Sequence, residues 1–225
     1  MQKKCPEGDI VVFGHSLIAF EPSTKGIHII RDPRDIIISG YQYHKRTKEG
    51  WCINKDFAID IPIKFPQVPR CRQHEPEEWK THYIESLKGK SYQGNLRDKS
   101  VEDGIIFEMN NYGAWTIDTI SKWDYCNPNV LEVKFENVIE NFNHTITEIF
   151  NHLGFPQGAI NNMVSTLSAH DINRMSADEI RRNRHITSAN TSRWKKHFTG
   201  RVKKEFKERF GRVLIKLGYE RNNKW

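Results

Sequence analysis

Apolar positions along the chain switch between short compact runs and a helical spacing. Residues 10–13 (Ile-Val-Val-Phe), 27–30 (Ile-His-Ile-Ile) and 130–135 (Val-Leu-Glu-Val-Lys-Phe) have the length and β-branched content of strands. Elsewhere spacings of three and four take over. Val138, Phe142, Ile146, Phe150 and Leu153 predict one helix, stopped by Gly154 and Pro156. Val202, Phe206, Phe210, Val213, Leu214 and Leu217 predict the last helix, ended by Gly218. An amphipathic helix over 101–123, a partly helical stretch over 74–96 and a helix with a polar loop over 158–186 fill most of the rest. Pro62, Pro66 and Pro69 break any long helix between 45 and 79, where Trp51, Phe57, Phe65 and Trp79 are interspersed. That irregular segment either shapes a pocket for an organic acceptor or anchors itself by its rings. Strands alternating with helices predict an α/β fold: a parallel sheet flanked by helices on both faces, forming a single domain over 1–225.

The sharpest local signal is at 27–44. The run at 27–30 ends in Arg31, and Asp32, Pro33 and Asp35 then supply an N-cap, a first-position proline and a first-turn carboxylate. A helix is predicted over 36–44. A strand that ends in Arg and turns straight into a helix makes an anion site, because helix-end N–H groups and a guanidinium both favour negative charge. The four-residue spacing places Asp35, Ser39 and Tyr43 on one helical face, so Ser39 is expected beside Arg31.

Composition narrows the partner. The 225 residues are 37% hydrophobic and 28% charged with a formal net charge of +7, which suits a soluble domain with an anionic partner. The charge by itself does not choose among a nucleotide, a nucleic acid and a sulfated or phosphorylated compound. Cys5, Cys52, Cys71 and Cys126 are scattered, which argues against a zinc site and for reduced thiols in the cytoplasm. No apolar run reaches membrane-spanning length, and no signal-peptide pattern opens the sequence. His15, in Gly14-His15-Ser16 directly after the first strand run, stands where α/β folds gather their chemistry, or else packs in a loop. Arg181, Arg182, Arg184 and His185 form a basic cluster that is either a solvated face or a phosphate clamp.

Three blocks in order resemble one family. Arg31-Asp32-Pro33-Arg34-Asp35-x-x-x-Ser39-x-Tyr41-x-x-His44 resembles the 3′-phosphate motif of sulfotransferases, enzymes that use 3′-phosphoadenosine 5′-phosphosulfate (PAPS). Val133-Lys134-Phe135-Glu136-Asn137-Val138 is similar to a strand end of that family, and Trp194-Lys195-Lys196-His197-Phe198-Thr199 to its C-terminal Trp block. The resemblance implies a fold like that of P-loop nucleoside-triphosphate hydrolases. It implies Arg31 and Ser39 as ligands of the 3′-phosphate, Phe135 near adenine, His15 as the catalytic base, and His170, with Ser168 nearby, as a ring packed on adenine. The family's Lys-x-Gly-Thr-like loop, which holds the 5′-phosphosulfate, has no counterpart here, so the expectation is an N-terminally truncated domain. Where the family carries Arg-Lys-Gly before the Trp block, this chain has Thr187-Ser188-Ala189. Arg184 and Arg193 then stand nearby to supply charge, with Ser188 to hydrogen-bond a phosphate.

The expected activity is sulfuryl transfer from PAPS to a hydroxyl or amine of a small-molecule or carbohydrate acceptor, with no metal. The alternatives are a sulfotransferase-like protein that binds nucleotide without catalysis, and a basic nucleic-acid-binding module. The last has no helix-turn-helix, zinc-finger or RNP-like signal in its favour.

Overall fold

The computed structural model of the protein describes residues 24–54, 64–182 and 190–225. Within them β1 (Gly26–Ile30) and β2 (Val130–Lys134) form a two-stranded parallel sheet, with Gly26 opposite Val130 and Ile30 opposite Lys134. The strand expected at 10–13 lies outside the described residues. Parallel pairing requires a long crossover. Here the crossover carries α1 (Pro33–His44), α2 (Gly50–Ile53), α3 (Glu77–Ser86), α4 (Tyr92–Arg97), α5 (Val101–Asn110) and α6 (Tyr112–Lys122). After β2 come α7 (Phe135–Glu140), α8 (Phe142–Leu153), α9 (Gln157–Leu167), α10 (Ala177–Arg182), α11 (Trp194–His197) and α12 (Gly200–Lys216). The described part is therefore α/β with helices predominating.

Local chemistry sets the helix ends. Asp32 Oδ1 accepts the Arg34 N–H at 2.9 Å and Pro33 opens α1, so that helix starts at Pro33, ahead of the expected residue 36. Gly154 ends α8 at φ +89°, a left-handed backbone that glycine adopts without strain. Two long helices expected from periodicity are each broken. The stretch over 101–123 divides at Asn111 (φ −124°, ψ −111°), whose side-chain amide donates to the Phe107 carbonyl at 2.8 Å. The stretch beyond 135 divides at Asn141 (φ −135°, ψ 50°), where the Thr145 hydroxyl donates to the Asn137 carbonyl at 3.0 Å. In both cases the apolar spacing continues through the break, so periodicity does not reveal it.

The core joins α1 to α4, α5, α6 and α12. Ile37, Ile38, Leu96, Ile105, Met109, Ile117, Phe206 and Leu214 are almost fully buried, and the apolar stripe expected of the last helix faces them. One carboxylate sits among these side chains. Glu108, with no exposure, accepts from the Tyr92 hydroxyl at 2.9 Å and pairs with His44 Nδ1 at 2.9 Å. Gln93 Nε2 donates to the His44 carbonyl at 3.0 Å and to the Thr47 carbonyl at 2.8 Å, satisfying the end of α1. The back of α1 is thus tied to α4 and α5, which leaves its other face to build a site.

A side chain on α1 at Gly40 would overlap the carboxylate of Glu108, which is pinned by His44 and Tyr92. Gly40→Ala is expected to lower stability by about 1–3 kcal/mol in denaturant unfolding. Gly158→Ala, in a helix with open space around that position, is expected to be neutral or to stabilise by a few tenths of a kcal/mol, roughly the helix-propensity gain.

Candidate functional site

The register of the two strands assembles the site's floor. Ile30 pairs with Lys134, so the residues just past each strand, Arg31 and Phe135, are neighbours. The Arg31 guanidinium lies over the Phe135 ring, 4.8 Å from its centroid. The turn that follows is fixed across the strands: the Asp32 N–H donates to Glu136 Oε1 at 3.0 Å, and Glu136 Oε2 accepts the Tyr219 hydroxyl at 2.8 Å.

One face of α1 then meets the segment leading into α11. Ser39 Oγ accepts from Arg31 Nη1 at 2.9 Å and from Arg193 Nη2 at 2.7 Å. Arg193 Nη1 also donates to Gln42 Oε1 at 2.6 Å. One turn earlier, Asp35 Oδ1 accepts the Trp194 N–H at 2.9 Å. Behind this face the buried Arg34 pairs with Asp32 at 2.7 Å and Glu220 at 2.6 Å, and its guanidinium lies 3.7 Å from the Trp194 ring centroid. Trp194 is therefore held at its backbone by Asp35 and at its ring by Arg34.

This arrangement suits an anion. Two guanidinium groups converge on one hydroxyl whose lone pairs both serve as acceptors, so its proton is available to donate. Burial, and then the like charge of Arg31, hold Arg193 below the usual guanidinium range. Arg31 Nε is buried and has no hydrogen-bond partner among the described residues. Asp35 has no exposure, and burial pushes its carboxyl up to about 6. The Trp194 amide, Arg31 and Arg193 pull it down against that, while Asp32 pushes it further up.

The site differs in one respect from the helix-terminus site expected. Pro33 has no N–H, and the Arg34 N–H is taken by Asp32. The converging donors are side chains on the flank of α1, one to two turns in, rather than its first amides.

Among the expected site residues, Arg31, Ser39 and Phe135 come together. His170 lies exposed in the 3₁₀ turn Ser168–His170, with no contact to that group among the described residues. His15, Arg184 and Ser188 lie outside the described residues. Gln42 and the Asp35–Trp194 bond were not expected. Gln42 was legible in principle, being three residues from Ser39 on the same helical side. The partner of Asp35 is a backbone amide 159 positions away, for which no local pattern exists. The sequence places Arg193 only as nearby charge, and the structure puts it on Ser39 itself. No group of three or more His, Cys, Asp or Glu side chains arranged to hold a metal occurs among the described residues.

A family model described as a sulfotransferase domain matches residues 15–218, a span containing the blocks at 31–44, 133–138 and 194–199. Neither the curated proteins nor the solved structures searched include a match. Among the described residues no helix is long and apolar enough to cross a membrane.

Asp35 binds its proton more tightly folded than unfolded, so its contribution to stability is full below about pH 4 and is lost as pH rises through 6. Asp35→Asn cannot titrate. Relative to wild type, the variant should therefore gain stability between pH 4 and 7, by an amount on the order of 3 kcal/mol. Urea unfolding of both proteins across that range checks this. A pH-independent difference would mean that the carboxyl titrates normally.

Proposed function

The chain belongs to the sulfotransferase domain family, and from that premise we propose that it transfers a sulfuryl group from PAPS to a hydroxyl or amine of a small-molecule or carbohydrate acceptor. The observation that carries the reading is the convergence of Arg31 and Arg193 on Ser39, at the position of the family's 3′-phosphate motif. The donors there fit a phosphate: two planar forks of N–H groups, a hydroxyl with a free proton, and a buried Arg31 Nε without a partner among the described residues.

In this reading Arg31 and Arg193 bind the 3′-phosphate and Ser39 donates its hydroxyl proton to it. Phe135, whose ring already meets Arg31, offers an apolar face to the neighbouring base. PAPS, when bound, supplies the activated sulfuryl group. Transfer of that group depends mostly on positioning and on stabilising spread negative charge. The protein's own acid–base step is removal of the acceptor's proton. We assign that step to His15, since a neutral imidazole is a suitable base near pH 7 and contributes roughly 10²–10⁴-fold. Arg184 and Ser188 are proposed to add donors at the phosphate, and His170 to pack against the base. The support for these four residues is the resemblance and their order in the sequence. The cytoplasm is the proposed compartment, supported by the free thiols of Cys52, Cys71 and Cys126.

Calorimetric titration with 3′-phosphoadenosine 5′-phosphate tests the clamp. Wild type should bind, and Arg31→Ala should weaken binding by roughly 10- to 100-fold, the loss of a charge-assisted hydrogen-bonding pair. Ser39→Ala should weaken it by about tenfold at most. Transfer of label from PAPS to an acceptor, abolished or strongly reduced in His15→Ala, supports the enzyme. Binding without transfer to any acceptor would support the non-catalytic alternative, and absence of binding would overturn the reading.

A further inference from the structure

Arg31 and Ser39 stand on consecutive elements, so α1 and the strand before it set their separation. Arg193 has no such guarantee. It comes from the far end of the chain, and its guanidinium approaches a like-charged one across a single hydroxyl. Gln42 Oε1 accepts from the head of the side chain at 2.6 Å. The backbone beneath it is held by a different group. Asp35 Oδ1 accepts the N–H of Trp194, the very next residue, at 2.9 Å, from a carboxylate with no exposure. Asp35 Oδ2 is buried and has no hydrogen-bond partner among the described residues. The charged groups facing this carboxylate are Arg31, Asp32 and Arg193, which act on it through charge, while its hydrogen bond is to the Trp194 amide. Its directional contact is therefore with the Trp194 backbone.

We infer that Asp35 is a positioning residue of the anion site: by gripping the Trp194 amide it sets the Arg193 guanidinium on Ser39 and so determines selection for a second phosphate on the bound nucleotide. This rests on the reading of the site as a clamp for a 3′-phosphate. A carboxylate on α1 thus acts on an anion that it would itself repel, through the backbone of the residue next to the cation. A plain electrostatic role would have the opposite sign, since removing a negative charge beside a phosphate strengthens binding. The two roles therefore predict opposite outcomes.

The test compares two probes, 3′-phosphoadenosine 5′-phosphate and adenosine 5′-phosphate, on the full chain by calorimetry. Their affinity ratio isolates the 3′-phosphate. Arg193→Ala should reduce the ratio by about tenfold or more, and Asp35→Ala should reduce it by about tenfold without touching the ligand. In the double variant, Asp35→Ala should add nothing to Arg193→Ala, because it acts through that residue. Asp35→Asn keeps an acceptor oxygen for the Trp194 amide and should retain most of the preference. An undiminished or increased ratio in Asp35→Ala would overturn the inference, as would a loss in Asp35→Asn as deep as in Arg193→Ala. Amide exchange at Trp194 serves if Asp35→Ala does not fold: protection in wild type and in Asp35→Asn supports the grip, and fast exchange in wild type overturns it. A wild type that shows no preference between the two probes removes the clamp reading and the inference with it. A wild-type preference that survives Asp35→Ala removes the inference alone.

Discussion

Two like charges converge on one hydroxyl in this protein, and much of the structure around them serves to keep them there. Arg31 and Arg193 both donate to Ser39 Oγ, at 2.9 and 2.7 Å. Left alone, two guanidinium groups that close repel one another. Each is therefore held from behind. Arg31 is fixed by its place at the end of β1 and by the Phe135 ring. Arg193 is fixed by Gln42 and by the grip of Asp35 on the next residue's amide. The geometry that results points two guanidinium groups at one hydroxyl, an arrangement that suits an anion.

The supporting shell is itself polar and buried, and its charged groups are paired across elements. Arg34 is nearly fully buried, yet it pairs with Asp32 and Glu220 and stacks on Trp194. Glu136 joins the turn after β1 to Tyr219, beyond the last helix. Within the five residues 31–35, Arg31, Asp32, Arg34 and Asp35 thus face different ways: toward Ser39, toward the helix cap, toward the C-terminal region and toward Trp194. Deeper in the fold, Glu108, His44 and Tyr92 lock the other side of α1. That lock leaves no room for a side chain at Gly40.

The elements of the fold were largely legible, and the reason is local. The strand at 26–30, the cap at Asp32, the left-handed stop at Gly154 and the apolar stripe of α12 all follow from neighbours in sequence. The breaks at Asn111 and Asn141 were not legible. An asparagine in a helical pattern is tolerated or disruptive according to what its side chain and the next turn find to bond with, and that depends on packing. In the site, Arg31 and Ser39 could be paired because a helix repeats every 3.6 residues. Phe135 entered only through resemblance, since nothing local joins residues 31 and 135. Of the first amides of α1 that were expected to favour an anion, Pro33 has none and that of Arg34 is taken by the cap that starts the helix.

The sequence by itself determined that this chain has a strand ending in arginine, a capped helix carrying a serine beside it, and blocks shared with sulfotransferases. Those are properties of short segments, where propensity, capping and spacing act over a few residues. Only the tertiary structure decided that the parallel register sets Arg31 against Phe135, that Arg193 is the second cation on Ser39, and that Asp35 reaches the Trp194 amide. These contacts join positions more than a hundred residues apart, and no local energy distinguishes the right partner from the wrong one. Packing of the whole chain chooses it, and with it brings a second guanidinium to the anion-favouring helix end at 27–44.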